Sequence, residues 1–294
     1  MKSGFITISG RPNAGKSTLL NALVGEKIAG VSPKPQTTRT RVNGVITREN
    51  AQIILVDTPG IHRSKDKLGA FMNKEAEEGR AGADVIWYMI DASRFNIDAE
   101  EEILGSLGGG TVILVINKID KVEKSEILNI IEKFRGIREF AEIVPISAVK
   151  AEGTNELLEM TVHYLPEGPF YFPDGVITDA PDERIISEFI REKMMKVLDD
   201  EIPYGTAVGI EKYNYDKKRD VTDVTATLYC ERENHKGIII GKGGATLKKI
   251  GTYAREDIER FTGTKVNLQL WLKVRDNWRE NPIQLNRMGY GGNK

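Results

Sequence analysis

The sequence predicts an α/β protein in two parts: a mostly parallel, doubly wound sheet, then a smaller α+β domain. Three observations carry this. Strand and helix patterns alternate through the first 164 residues. A proline cluster (Pro166, Pro169, Pro173, Pro181) then interrupts them. Beyond it the rhythm changes to a helix followed by long runs of alternating apolar residues. A chain of 294 residues has room for about two such domains.

In the first part, Phe5–Ser9 reads as a strand, Gly10–Gly15 as a turn and Ser17–Val24 as a helix. Lys27–Thr40 is polar and holds Pro33 and Pro35, which makes it a loop. Val42–Thr47 and Gln52–Asp57 are strands joined by the polar Arg48-Glu49-Asn50 turn. Asp84–Asp91, Thr111–Ile116 and Glu142–Ile146 are further strands, each short, apolar and bounded by turn residues, as strands buried on both faces are. Helical patterns fall at Lys65–Ala81, Asp98–Leu107, Glu123–Glu139 and Asn155–Tyr164. Alternation of this kind places helices on both sides of a parallel sheet.

Residues 167–181 have the composition of a stiff linker. After them, Ile186, Phe189, Ile190, Met194, Val197 and Leu198 recur at helical spacing. Ala207–Tyr213 reads as a strand. Val224, Ala226, Leu228 and Cys230 alternate with Thr225, Thr227 and Tyr229, so Cys230 belongs to a core. A helix follows Gly241–Gly244 and reaches Phe261, and Val266, Leu268, Leu270, Leu272 and Val274 mark a last strand. The expected division is a first domain at 1–166, the linker, a second domain at 182–280 and a C-terminal tail at 281–294.

Composition excludes several classes. Forty per cent apolar and 29% charged residues are ordinary values for a folded soluble chain. The longest apolar runs, Val85–Ile90 and Val112–Ile116, fall far short of a membrane span, and the N-terminus lacks the pattern of a signal peptide. One cysteine rules out an internal disulfide and fits a reducing cytoplasm. Three histidines beside it leave no structural zinc site. The net charge of −1 hides an asymmetry: residues 234–294 hold 12 basic and 5 acidic side chains, net +7, on a body of net −8. That fits either a polyanion partner for the basic end or a solvated helical face.

Gly10-Arg11-Pro12-Asn13-Ala14-Gly15-Lys16-Ser17 matches the phosphate-loop (P-loop) pattern GxxxxGKS between a strand and a helix. Glycines let backbone N–H groups converge on phosphate oxygens, and the helix N-terminus adds positive potential. Lys16 is expected on the β- and γ-phosphates and Ser17 on Mg²⁺, with Thr18 beside it. Asp57-Thr58-Pro59-Gly60 ends a strand, with Asp57 placed toward the metal and the Gly60 N–H toward the γ-phosphate. Asn117-Lys118-Ile119-Asp120 ends another, where the Asp120 carboxylate can accept from guanine N1–H and the 2-amino group, which adenine cannot offer. Asn117 would brace that loop. Ser147-Ala148-Val149 follows the last strand and can present a backbone N–H to guanine O6. Any one of these is weak alone; four in order at strand ends read together as a guanine-nucleotide site.

This half resembles the translation-factor class of GTPases. The resemblance makes Gln36–Thr40 switch I, with Thr38 either a second Mg²⁺ ligand in the GTP state or a threonine making a local turn. It makes the residues after Gly60 switch II. Lys16, Thr38 and Gly60 are then the residues expected to act on the transferred phosphate. Where many such enzymes carry a water-orienting glutamine, this chain has Ile61, which cannot polarise water, so slow intrinsic turnover is expected. His62 is read as solvent-facing. In this subgroup an asparagine at the place of Asn13 helps bind K⁺; the alternative is that it only bonds the loop.

Ile240-Gly241-Lys242-Gly243-Gly244 is a GxxG loop holding a lysine and preceding a basic helix. In KH domains such a loop lies against the nucleic-acid backbone. The helix–strand–strand–helix–loop–helix–strand order is that of a type II KH domain. Lys236, Lys242, Lys248, Lys249 and Arg255 are the expected phosphate contacts, beside Gly241, Gly243 and Gly244. Trp271 and Trp278 could stack bases, but a half-buried core role is the first reading for each.

A P-loop GTPase domain, a proline-rich link and a type II KH domain resemble the Era-like family of bacterial ribosome-assembly GTPases. The segments GRPNAGKS, PQTTRTR, DTPG, NKID, ISA, IIIGKGGATLKKIG and VNLQLWLKVRDNW carry the resemblance along nearly the whole chain. It implies GTP/GDP binding with Mg²⁺, hydrolysis of GTP, binding of 16S rRNA near its 3′ end and a role in maturing the 30S subunit. It further implies a monomer in the cytoplasm with peripheral contact at the inner face of the cell membrane. The competing reading is an RNA chaperone that senses GTP/GDP with negligible turnover. A tRNA-modification or translation GTPase would carry a further domain, for which these residues leave no room.

Overall fold

The computed structural model describes residues 1–60, 66–105 and 107–291. Two compact units divide them: 1–28, 38–60 and 72–179 form one, and 29–37, 66–71 and 180–291 the other.

The first unit is built on β1 (Lys2–Ser9), α1 (Lys16–Val24), β2 (Val42–Arg48), β3 (Ala51–Asp57), α2 (Lys67–Ala81, from Met72 on), β4 (Val85–Asp91), α3 (Ile97–Leu104), β5 (Thr111–Asn117), α4 (Lys124–Arg135), β6 (Glu142–Ile146) and α5 (Thr154–Tyr164). The strand order is β2-β3-β1-β4-β5-β6. Only the β2–β3 pair of this sheet is antiparallel, because the two-residue turn Glu49-Asn50 suffices to reverse the chain there while every other connection crosses over through a helix. Alternation within β4 and β5 splits the core between two faces. Ile86, Tyr88 and Ile90 join Val112, Leu114 and Ile116 under Leu104, Ile130 and Phe134 of α3 and α4. Trp87 points the other way, its indole N–H donating to Thr161 Oγ1 on α5 at 2.9 Å. The predicted mostly parallel sheet with helices on both sides is the fold observed. Its parallel strands end together, which gathers the loops after β1, β3, β5 and β6 along one edge.

Residues 167–179, read as a linker, are fastened to this unit. Glu167 bridges Lys2, and Thr178 bridges Gly44. The Ser3 hydroxyl donates to Pro169 O at 2.6 Å. The buried Gln52 amide accepts from the Tyr171 and Phe172 N–H groups and donates to Phe172 O. Val45 N–H donates to Ile177 O at 2.8 Å. Prolines mark this segment as extended but carry no signal for the backbone partners it finds.

The second unit contains α6 (Asp182–Val197), β7 (Ala207–Asp216), β8 (Val221–Cys230), α7 (Glu233–Ile240), α8 (Ala245–Thr262), β9 (Lys265–Val274) and α9 (Pro282–Arg287). The sheet order is β7-β8-β9, antiparallel then parallel. Ile186, Phe189, Ile190 and Met194 of α6, Val224, Ala226, Leu228 and Cys230 of β8, and Ile250, Ala254 and Ile258 of α8 are all buried. α6 also buries Glu188, Arg191, Glu192 and Lys193. These pair as Arg191 with Glu188 and as Lys193 with both Glu192 and Asp257 of α8, since a charge removed from water must find a counter-charge.

The two tryptophans differ from their shared reading as half-buried. Trp278 is fully buried, donates to Gly205 O at 2.9 Å and stacks on Tyr290. Trp271 is 60% exposed. The segment read as a tail holds α9, which Asn281 caps, and buries Leu285 and Tyr290.

Candidate functional site

The loop after β1 is shaped by conformation. Gly10 sits at φ 143, and a Cβ there would lie 2.2 Å from Met89 O. Gly15 sits at φ 107, and its Cβ would meet Asn117 Nδ2 at 2.2 Å. Neither tolerates a side chain. Asn13 also adopts a positive φ, 66. Lys16, the first residue of α1, is buried and curls back over the loop, donating to Gly10 O at 3.0 Å and Arg11 O at 2.9 Å. Burial lowers its pKa to about 8 against the opposing pull of Asp57 and Glu100. Arg11 is tethered 3.7 Å from Glu100. Glu100 is buried, its pKa pushed up by burial, and it accepts from the Tyr88 hydroxyl. Pro12 and Ala14 complete the loop, and Thr18 is half-buried in the first turn of α1.

Three oxygen donors converge beside Lys16. Ser17 Oγ donates to Asp57 Oδ2 at 2.6 Å and lies 2.9 Å from Thr38 Oγ1, which itself is 3.4 Å from Asp57 Oδ2. Two hydroxyls and one carboxylate are a hard donor set of the kind Mg²⁺ takes when phosphates and water complete its octahedron. Thr58 and Pro59 are buried, and the Thr58 hydroxyl is committed to Ile8 O at 3.1 Å. A Cβ on Gly60 would lie 3.1 Å from the Pro12 backbone, so Gly60 abuts the phosphate loop. Ile61 and His62, and the switch II segment they begin, lie outside the described residues up to 65.

The loops after β5 and β6 are locked to the first. Asn117 Nδ2 donates to Ala14 O at 2.8 Å, and its Oδ1 accepts from Ala148 N at 3.0 Å. Lys118, at φ 65, donates to Asn13 O at 2.8 Å and pairs with Asp91 at 2.5 Å. Burial raises the Asp91 pKa, but hydrogen bonds from Lys118 and Ser93 outweigh it and leave the carboxyl below its usual range. Asp120 is exposed, with Oδ1 accepting from Ser147 Oγ at 2.7 Å, and Ile119 begins the 3₁₀ turn that presents it. Val149 is exposed beyond them. The sequence reading missed Asp91, Tyr88 and Glu100. An aspartate ending the strand Val85–Asp91 was the one visible signal.

In the second unit, Gly241–Gly244 joins α7 to α8. Gly241 sits at φ 73, where a Cβ would clash with Thr246 Oγ1 at 2.2 Å. Gly243 and Gly244 have φ 59 and 81 with open space around them. Beside the loop runs a groove of about 460 Å³ lined by Gly244, Lys248, Gly251 and Arg255 of the α8 side and Asn267, Leu268 and Leu270 of β9. Of the predicted contacts, Gly244, Lys248 and Arg255 line this groove. Lys249 instead lies over the Tyr253 ring at 5.9 Å, and Lys236 pairs with Glu233 at 3.7 Å. Of the two adjacent lysines only Lys248 lines the groove, together with Leu247, Gly251, Thr252 and Arg255 of the same helix. Thr252 and Asn267 also line it and were not anticipated.

Comparison with known proteins gives the following. A family profile described as "50S ribosome-binding GTPase" matches residues 5–118, and one described as "KH domain" matches residues 201–279. The chain is 50% identical over 292 residues to GTPase Era of Clostridioides difficile, covering 98% of each chain. It is 48% identical to GTPase Era of Clostridium kluyveri, covering 99% of each. A crystal structure of an Aquifex aeolicus Era variant bound to GDP and AlF4⁻ superposes with a TM-score of 0.95 at 41% identity, covering 99% of this chain and 100% of that one. A structure of Era with MgGDPNP and nucleotides 1506–1542 of 16S ribosomal RNA superposes at 0.94, with the same identity and coverage.

Proposed function

The chain belongs to the Era family of GTPases, and from that premise we propose that it hydrolyses GTP to GDP and phosphate as a switch on 16S rRNA during assembly of the 30S subunit. One observation carries the catalytic part: Ser17, Thr38 and Asp57 bring three hard oxygens together beside the buried Lys16. These three residues would hold Mg²⁺, which supplies positive charge to the β- and γ-phosphate oxygens. Lys16 and the backbone N–H groups of residues 13–17 orient the phosphates, and the Gly60 N–H faces the terminal one. Catalysis is then positioning and electrostatics. Asp120, set by Ser147, selects guanine, while Asn117 holds both loops at a fixed spacing. With Ile61 following Gly60, intrinsic turnover is slow. The family resemblance extends the proposal to a K⁺ held near the phosphates by Asn13, which sits in the phosphate loop at φ 66.

The groove beside Gly241–Gly244 supports RNA binding, with Lys242, Lys248 and Arg255 as phosphate contacts. A related Era structure holds a 16S rRNA fragment in company with a GTP analogue, which supports the same pair of ligands here. The family resemblance extends the proposal to a monomer acting in the cytoplasm, with peripheral contact at the inner membrane face. Among the described residues no helix is long and apolar enough to cross a membrane. Multiple turnover of GTP in the presence of Mg²⁺ tests the enzyme reading. Stoichiometric binding without turnover would favour the RNA chaperone that only senses GTP/GDP.

A further inference from the structure

β9 is the edge strand of its sheet, so its side chains alternate between two faces with only one backbone between them. Val266, Leu268 and Leu270 line the groove. Gln269, Trp271 and Lys273 occupy the opposite row. Trp271 is 60% exposed, and a large aromatic left in water is the informative exception among surface residues. Its neighbours across the sheet are small: Trp271 is in register with Thr227, and Thr227 with Gly209. Tyr229, the next residue of that row on β8, is in register with Lys273 and lies 3.4 Å from where a Gly209 Cβ would be. This face therefore offers the Trp271 indole, the Tyr229 phenol and the Lys273 ammonium, beside Glu211 at the phenol and an Asp223 carboxylate already paired with Arg219. Asn267 belongs to the same row as Trp271 and also lines the groove, so groove and row are continuous around the strand.

We propose that Trp271 is a base-stacking site for single-stranded RNA that leaves the groove around the edge of β9, with Lys273 meeting the adjoining phosphate. The inference rests on the groove reading above. A KH groove accommodates four nucleotides, whereas the RNA in the related Era structure spans nucleotides 1506–1542. A longer strand must continue somewhere, and the row that Asn267 joins to the groove leads to Trp271 and Lys273. Lys273, two residues along the same row, supplies the positive charge that favours a nucleic-acid backbone over an apolar protein partner there. Aromatic platforms beside a positive groove are the way single strands are held without base-specific contacts.

The molecule carries its own reporter. Trp87 and Trp278 are fully buried and Trp271 alone of the three is exposed, so tryptophan emission quenched by a bound base reads this site. The probe is a 16S rRNA 3′-region oligonucleotide of about ten nucleotides, compared with the same RNA cut to the four that fill a KH groove. The longer RNA should quench the emission, and Trp271→Phe should abolish the quench while keeping affinity, because phenylalanine still stacks. Trp271→Ala should weaken the longer RNA by about 5- to 150-fold, the range base–aromatic stacking supplies, and leave the four-nucleotide RNA unchanged. Equal affinity of Trp271→Ala and wild type for the longer RNA overturns the proposal, as does a quench that persists in Trp271→Phe. The groove reading is judged separately: it fails if Lys242→Asp with Gly243→Asp leaves the four-nucleotide RNA bound as in wild type.

Discussion

The Ser147 hydroxyl donates to Asp120 Oδ1 at 2.7 Å, so the loop after β6 fixes the carboxylate presented by the loop after β5. One carboxylate oxygen is thereby oriented before any base arrives. Asp120→Asn should weaken GTP by roughly 10- to 150-fold, as expected when hydrogen bonds to a charged group are lost at about 1.5–3 kcal/mol. The same variant should gain affinity for xanthosine triphosphate, whose 2-oxo group needs a donor. Competition binding with GTP, ATP and xanthosine triphosphate measures both. ATP competing equally against wild type would refute the assignment.

Asn117 joins two loops that are far apart in the chain, through Ala14 O and Ala148 N, and it is 2% exposed. Asn117→Ala leaves a buried carbonyl and a buried N–H without that partner, at a cost of about 1–3 kcal/mol. We expect a lower melting temperature and a smaller stabilisation by GDP than in wild type, both read in one thermal series with and without nucleotide.

Lys16 sets a pH dependence. Its pKa in the folded protein is lowered to about 8 by burial, and bound phosphates raise it again. Nucleotide binding should therefore take up a proton at pH above about 8, and affinity should fall as pH rises through that value. Calorimetry in two buffers of different ionisation enthalpy detects the uptake. Affinity independent of pH from 7 to 9 would show that Lys16 takes up no proton when nucleotide binds.

If Asn13 helps hold K⁺, GTP hydrolysis is faster in KCl than in NaCl at equal ionic strength, and Asn13→Ala removes the difference. Indifference of the wild type to the cation would leave Asn13 with its loop role alone.

The double change of Lys242 and Gly243 to Asp places two carboxylates against an RNA backbone. Gly243 has φ 59 with open space around it, a conformation that aspartate accepts better than most residues, so folding should survive. RNA binding should be lost, while GTP affinity of the isolated protein stays unchanged. Neutralising Lys242 alone should flatten the salt dependence on single-stranded RNA by about 0.7 in slope. A folded double variant with wild-type RNA affinity would remove the GxxG loop from the site.

Local patterns determined much of this protein. Apolar runs and alternation are properties of neighbouring residues, and they located β3, β4, β5, β6 and β9 to within about one residue at each end, while β8 begins three residues before the alternation read for it. The nucleotide motifs were legible for the same reason: a glycine, lysine or aspartate at a strand end has its chemistry fixed by its own turn. What depends on partners distant in sequence had no local signature. Trp271 and Trp278 looked alike in the chain, yet one stands in water and the other is sealed against Gly205 and Tyr290. Lys248 and Lys249 are equally basic, but helix phase and the position of β9 give the groove only the first. Residues 167–181 read as a stiff linker, but the hydrogen bonds that Gln52 and Val45 make with its backbone had no sign in the sequence. Glu188 and Arg191 are a local i,i+3 pair, but nothing nearby in the chain marks Lys193 as buried, because only packing brings Asp257 of another helix beside it. Sequence periodicity says which way a side chain points within its own element; only tertiary packing says whether water, a charge or another side chain waits there.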